Sequence, residues 1–237
     1  MSADRSLLDS IWNAFVPVHP DGHKFLGVAA VVALVGFFVW DPLGWIAAGA
    51  TLYIAYFFRD PERVVPLRDG LVVAPADGRI SAIEVVTPPS ELDLGTTPLT
   101  RISIFLSVFD VHINRAPVAG RIRRSVYIPG LFLNAELDKA SEDNERRALV
   151  IETSSGTSIG VVQIAGFVAR RIVTFASEGD AVGIGERFGL IRFGSRVDTY
   201  LPAGRTALVA VGQRAVAGET ILADMKSDEP EREARRT

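Results

Sequence analysis

Charge disappears from the chain between Lys24 and Arg59: the 34 positions 25–58 are predominantly apolar and carry a single charged residue, Asp41. Asp41-Pro42, with Gly44 just beyond, divides the stretch into two 16-residue halves, 25–40 and 43–58, and supplies turn chemistry between them. As helices the halves would each measure about 24 Å, against about 30 Å of bilayer hydrocarbon. The pattern predicts a hydrophobic membrane hairpin, either two short spans or a re-entrant wedge; the alternative is a buried helical hairpin within a soluble fold. A signal peptide fits poorly, because the apolar run starts 24 residues in and no small-residue cleavage site precedes Arg59. Trp40 and Trp45 flank the turn, and Tyr53, Tyr56 and Arg59 lie toward the other end, as interfacial anchors do. Lys24, Arg59, Arg63 and Arg68 all fall on the side of the two termini. The positive-inside rule then expects a cell-membrane protein with the rest of the chain on the cytoplasmic side. Residues 1–24 read as an interfacial segment with a short helix at 7–15, and 224–237 as a disordered charged tail.

Beyond the hairpin the period changes from helical to that of strands. Segments 71–74, 79–86, 101–108, 148–153, 158–164 and 206–211 are rich in β-branched residues and bounded by Gly, Pro, Ser or Asp. The polar stretch 131–147 is the exception, a loop with partial helical character. Residues 59–223 therefore form a mainly β domain. Gly179-x5-Gly185-Glu186 and Gly212-x5-Gly218-Glu219 repeat one spacing 33 residues apart. This cadence, with Val73-Ala74-Pro75-Ala76-Asp77-Gly78, resembles the barrel-sandwich hybrid of lipoyl and biotinyl carrier domains. A carrier presents a modified lysine between its halves, and no lysine occurs between Glu186 and Gly212, which argues strongly against a swinging arm.

Composition narrows the chemistry. The formal charge of −3 offers no electrostatic footprint for nucleic acid. The chain has no cysteine, which removes disulfides, thiolate metal sites and thiol nucleophiles, and its three histidines leave no metal site unless all of them converge. His112 is the only imidazole in the β domain. Gly194-Ser195 is a turn dipeptide by default, but a serine after glycine can also attack the glycine carbonyl, which no side chain shields. The resulting ester can break by β-elimination, and the dehydroalanine so formed hydrolyses, with loss of ammonia, to a pyruvoyl group. The basic run Arg115, Arg121, Arg123 and Arg124 reads equally as a lipid-phosphate contact or a solvated strand face. Phe109 and Phe132 read as core or pocket lining.

Six strings occur in order: Tyr56-Phe57-Phe58-Arg59-Asp60-Pro61-Glu62-Arg63, Ala76-Asp77-Gly78, Phe109-Asp110-Val111-His112-Ile113-Asn114-Arg115-Ala116-Pro117, Phe132-Leu133-Asn134-Ala135, Gln163-Ile164-Ala165-Gly166 and Arg192-Phe193-Gly194-Ser195-Arg196-Val197-Asp198. Together they closely resemble the short-type phosphatidylserine decarboxylase proenzymes, over residues 56–223. Longer relatives carry Leu-Gly-Ser-Thr at the processing site and a second histidine at the position of Phe109. The resemblance implies self-cleavage between Gly194 and Ser195, with Ser195 as nucleophile and precursor of a covalent pyruvoyl cofactor. It assigns to His112 and Asp77 the relay that deprotonates Ser195, and it implies no metal. The implied reaction turns phosphatidylserine into phosphatidylethanolamine and CO2 through a Schiff base, which suits a chain with no lysine signature for pyridoxal phosphate. The expected partners are phosphatidylserine, the bilayer and the two cleavage fragments held together, and a homodimer stays open. The rival readings are an uncleaved, membrane-anchored β-hybrid adaptor and a pyruvoyl decarboxylase of soluble substrates.

Overall fold

The structure is a computed structural model that describes residues 16–132, 143–166, 171–192, 194–227, 229, 230, 232 and 235. The predicted helix at 7–15 and the helical part of 131–147 lie outside the described residues, apart from the edges of the latter. The chain divides into two compact units, Met1–Glu62 and Arg63–Thr237.

The first unit is a helical hairpin, α1 Pro20–Val39 and α2 Asp41–Phe57. Both helices differ from the 16-residue halves expected. α1 starts earlier because Pro20 suits the first turn and the His19 Nδ1 caps it, accepting from the Asp21 amide at 3.3 Å. The break falls at Trp40 alone; Asp41-Pro42 opens α2 instead of separating the helices, since the amide that proline lacks would be unpaired in a first turn anyway. Val28, Val31, Val32, Leu34, Val35, Phe38 and Val39 are all more than half exposed, so the hairpin presents an apolar outer surface. Among the described residues α1 is the one helix long and apolar enough to cross a membrane, with mean hydropathy 1.9.

The second unit is mainly β: β1 Leu71–Val73, β2 Gly78–Val86, β3 Leu99–Leu106, β4 Ile113–Arg115, β5 Gly120–Ile128, β6 Arg146–Glu152, β7 Ser158–Ala165, β8 Ile172–Thr174, β9 Ala181–Val182, β10 Arg187–Ile191, β11 Ser195–Tyr200, β12 Arg214–Ala215 and β13 Ile221–Asp224. The expected strand at 206–211 does not form; its place is taken by turns, with the Leu208 amide bonded to the Leu222 carbonyl. Turn formers at Pro202, Gly204 and Gly212 leave that segment too little length for a ladder.

Eight strands form one curled sheet in the order β12-β2-β3-β11-β7-β6-β5-β9, and β4-β10-β8 form a smaller one. The large sheet reads the same from both ends. Ala74-Pro75-Ala76-Asp77-Gly78-Arg79-Ile80 and Ala116-Pro117-Val118-Ala119-Gly120-Arg121-Ile122 are the same motif repeated after 42 residues, and each runs into a long strand (β2, β5) with a register break two residues later, at Ile80/Ala82 and Ile122/Arg124. The glycine repeat supplies matching partners: Gly212 and Gln213 bond Ile80 as Gly179 and Asp180 bond Ile122, and Gly218 donates to Ala74 as Gly185 donates to Ala116. Only glycine fits at 78 and 120, where an added Cβ would collide with the Phe105 and Glu152 carbonyl oxygens. The pseudo-twofold relation sets β11 and β7 side by side at the centre. The core between the sheets is built from Ile102, Ile104, Leu106, Val161, Ala165, Val197, Ile172 and Ile191, all buried.

Candidate active site

Ser195 is the first residue of β11, where its Cα partners are Leu106 of β3 and Ala165 of β7. Side chains alternate along a strand and opposed residues share a face. Ser195 therefore points with Leu106, Ala165 and Val197 toward the small sheet, while Arg196 and Asp198 point the other way. Its hydroxyl is fully buried and has no hydrogen-bond partner among the described residues. A buried unpaired hydroxyl costs about 1–3 kcal/mol, so this oxygen is kept free at the expense of stability.

The peptide bond before it lies on the corner where the chain leaves the small sheet for the large one. Ile191 ends β10 and Ser195 begins β11. Gly194 sits between them at φ +57°, in the left-handed region, and the nearest atom to the place of a Cβ is Val108 Cγ1 at 4.0 Å. Glycine is required here by backbone conformation and not by lack of room.

His112 comes from the other sheet. It stands just before β4, and its carbonyl accepts from the Ile191 amide at 3.3 Å, which extends the β4–β10 ladder to the edge of the Gly194 corner. Alternation places its ring on the face of Asn114, toward the large sheet. His112 is buried, and its Nδ1 lies 2.9 Å from the Asp110 carbonyl oxygen. A carbonyl can only accept, so Nδ1 carries a proton, and the buried Nε2 is the nitrogen through which the ring can take one up. That is the tautomer a general base requires.

The loop that holds His112 is itself braced. Asp110 accepts from the Ser107 amide at 2.8 Å and hydroxyl at 2.7 Å, and its other oxygen takes Arg214 of β12. The Ser107-x-x-Asp110 spacing is the sequence signal for this turn, in which the Asp110 amide donates to the Ser107 carbonyl at 2.9 Å while its carboxylate reaches back to the Ser107 amide. Phe109 at the loop tip is 63% exposed, so it belongs to neither core nor a closed pocket. Phe132 is partly buried against the main core.

Asp77 is buried in the turn before β2. One oxygen accepts from Arg63 at 2.7 Å and the other from the Ala217 amide at 2.8 Å, so the bonds of its carboxylate go to these groups while His112 is oriented by the Asp110 carbonyl. Burial raises its carboxyl above the ordinary 3.8, and the Asp110 carboxylate nearby adds to the rise; the Ala217 amide and Arg63 offset part of it. The repeat shows that the turn itself does not need an acid: Ala119 holds the corresponding position and Gly120 follows it as Gly78 follows Asp77. Arg63, its partner, had no signal in spacing.

Arg115, Arg121, Arg123 and Arg124 donate to the carbonyls of Gly185, Gly179, Asp93 and Glu91 respectively, so the basic run is spent on the fold's own backbone. No group of three or more His, Cys, Asp or Glu able to hold a metal occurs among the described residues.

The family profile described as phosphatidylserine decarboxylase matches residues 50–223. The phosphatidylserine decarboxylase proenzyme of Nitrobacter winogradskyi is 59% identical over 222 residues, 94% of this chain and 90% of the relative. That of Beijerinckia indica is 59% identical over 225 residues, 95% of this chain and 97% of the relative.

Proposed function

The chain belongs to the phosphatidylserine decarboxylase family and is a decarboxylase, and we propose that it matures by cutting itself between Gly194 and Ser195 and then converts phosphatidylserine to phosphatidylethanolamine and CO2. The observation that carries this reading is Ser195 itself, a fully buried and unpartnered hydroxyl directly after a left-handed glycine, on the face that His112 approaches from the opposite sheet.

In the first step His112 Nε2 takes the Ser195 hydroxyl proton as the oxygen attacks the Gly194 carbonyl carbon. The Ser195 nitrogen leaves with a proton, and an ester replaces the amide. Loss of the Ser195 Cα proton then expels the Gly194 carboxylate and leaves dehydroalanine. Its tautomer is hydrolysed, ammonia departs, and a pyruvoyl group heads the C-terminal piece. The residues present fit that group, since the serine that must become it already faces the inter-sheet space with its oxygen unengaged. When formed, the ketone supplies the electron sink that α-decarboxylation requires.

Asp77 and Asp110 set the electrostatics of this step. Two carboxylates close to the His112 loop favour the imidazolium that appears as the proton is transferred. Arg63 keeps Asp77 in place, at 2.7 Å. The two pieces stay together because β11 is an inner strand, paired along its whole length with β3 and with β7, while β13 of the same piece pairs with β1. The apolar surface of α1 and α2 supports attachment to a bilayer, where the substrate resides, and the basic residues at the hairpin ends support a cytoplasmic catalytic unit.

Intact-mass measurement on the purified protein tests the reading. The wild type should give a 194-residue and a 43-residue piece (237 minus 194), the smaller lacking a free amine, and Ser195→Ala should stay full length. Cleavage of Ser195→Ala at the same bond would assign the cut to another protease and overturn it.

A further inference from the structure

Two amide side chains meet beside Ser195. Gln163 lies on β7 two residues from Ala165, the Cα partner of Ser195, and so on the same face; Asn114 lies on β4 two residues beyond His112. Both are fully buried, and Gln163 Nε2 donates to Asn114 Oδ1 at 2.8 Å across the gap between the sheets. The bond leaves Asn114 Nδ2 and Gln163 Oε1 over, both buried and neither hydrogen-bonded among the described residues. One amide pair joined by one bond always leaves a donor on one partner and an acceptor on the other, whichever way round the amides stand. Gly189 of β10 makes room for this pair, since a Cβ there would lie 3.1 Å from Gln163 Nε2 and 2.6 Å from the Val173 carbonyl oxygen.

We propose that Asn114 and Gln163 recognise the serine headgroup of the substrate, Asn114 through its carboxylate and Gln163 through its amine; this deepens the reading that Ser195 becomes the reacting centre. An amino acid carries an N–H donor and a carboxylate acceptor on one carbon. A spare donor beside a spare acceptor is the complement of that pair, and it stands on the face where Ser195 Cα would meet the substrate. The neutrality of the donor matters. The carboxylate must shed its charge to leave as CO2, and an amide orients it without the ground-state stabilisation a guanidinium would give. Arg115, the next residue along β4, is turned to the Gly185 carbonyl instead, at 3.0 Å.

The test is the double variant Asn114→Leu/Gln163→Met in the full-length chain in detergent. Replacing both amides by apolar groups of similar size leaves no orphan, so the protein should be cleaved as the wild type is and melt no lower. The ratio of inhibition constants for glycerophosphoethanolamine and glycerophosphoserine, which differ in the carboxylate alone, should fall about 10-fold, the value of roughly one lost hydrogen bond. A second variant, Gln163→Glu, keeps the shape. As a neutral acid it preserves the bond to Asn114; when ionised it has no donor left, so the Asn114 amide turns and gives its N–H to the new carboxylate, the donor for the substrate carboxylate is lost, and KM for phosphatidylserine should acquire a new rise with pH. A processed double variant with an unchanged ratio, or Gln163→Glu with a wild-type pH profile, overturns the proposal. So does a folded double variant that remains uncut, because the pair would then serve maturation. Wild-type protein that never cleaves sinks the reading of Ser195 instead.

Discussion

Gly194→Ala separates conformation from space at the cleavage bond. The backbone there stands at φ +57°, and with the nearest atom 4.0 Å from the position of a Cβ, alanine meets no obstacle. Its cost is that of an L-residue held in the left-handed region, about 1–2 kcal/mol. With open space around it the alanine variant can relax out of the left-handed region in the resting chain, and if the Ser195 oxygen reaches the Gly194 carbonyl only from that region the barrier to the acyl shift rises by the same amount. Cleavage then slows by about 5- to 30-fold, at about 1.4 kcal/mol per factor of ten. The assay is a pulse of synthesis followed by intact-mass or gel quantification of the 194-residue piece against time, fitted to one first-order rate, with urea unfolding of the uncut chain in parallel. The expected product of the variant is the same pair of fragments, formed late. A wild-type rate would show that the left-handed corner plays no part in the attack. A complete block in a folded protein would show an obstruction at position 194, against the open space the structure gives it.

Other consequences can be checked separately. Gly120→Ala drives a Cβ into the Glu152 carbonyl oxygen and should lower unfolding stability by at least about 2 kcal/mol, so an unchanged urea midpoint would contradict the packing at the β5–β6 register break. Because burial raises the Asp77 carboxyl in the folded chain, its protonation is favoured by folding: this side chain's contribution to stability should grow as pH falls through the folded value and level off below 3.8. Asp77→Asn should remove that slope from the pH dependence of melting, and should slow maturation; an identical slope in wild type and variant would count against the assignment. Arg196 and Asp198 are buried on the outer face of β11, 2.9 Å apart, so Arg196→Met alone should cost about 3 kcal/mol by taking from the carboxylate the guanidinium that is hydrogen-bonded to it, leaving Arg101 as the charge nearby, and adding Asp198→Leu should restore part of it. Single cysteines in this cysteine-free chain, Asp41→Cys and Ser90→Cys, report topology: an impermeant thiol reagent on intact cells should leave position 90 unlabelled, and labelling there would reverse the orientation.

The hairpin was legible in the sequence because its signal is local: one charge in 34 residues needs no partner to be read. Its boundaries were not, since Pro42 looks like a break until it is seen in the first turn of α2, the one helical place where a missing amide costs nothing. The mainly β character was likewise written in short β-branched runs, and the pairing of glycine spacings marked two matching turns. Gly194, Ser195, His112 and Asp77 could be named from sequence, each as a single residue in a motif.

Only the tertiary structure decided how those residues meet. Ser195 and His112 are 83 positions apart (195 minus 112) and face one another's sheet because β11 lies at the centre of the large sheet while β4 pairs with β10 in the small one. Such pairings depend on strands distant along the chain, so no local period encodes them. The same holds for the Asn114–Gln163 bond, for the Arg63 partner of Asp77, and for the Asp110 carbonyl that fixes the His112 tautomer. The repeated Ala-Pro-x-x-Gly-Arg-Ile motif stood in the sequence throughout, but its meaning needed the sheet. Two copies of one turn occupy equivalent places, one with Ala119 and one with Asp77, and the acid is thereby freed from any duty to the turn. Sequence determines which elements a chain can form, because propensity and polarity act within a few residues. Which side chains share a buried space is settled by long-range pairing and close packing, and here that pairing places a serine, an imidazole and two amides between the same two sheets.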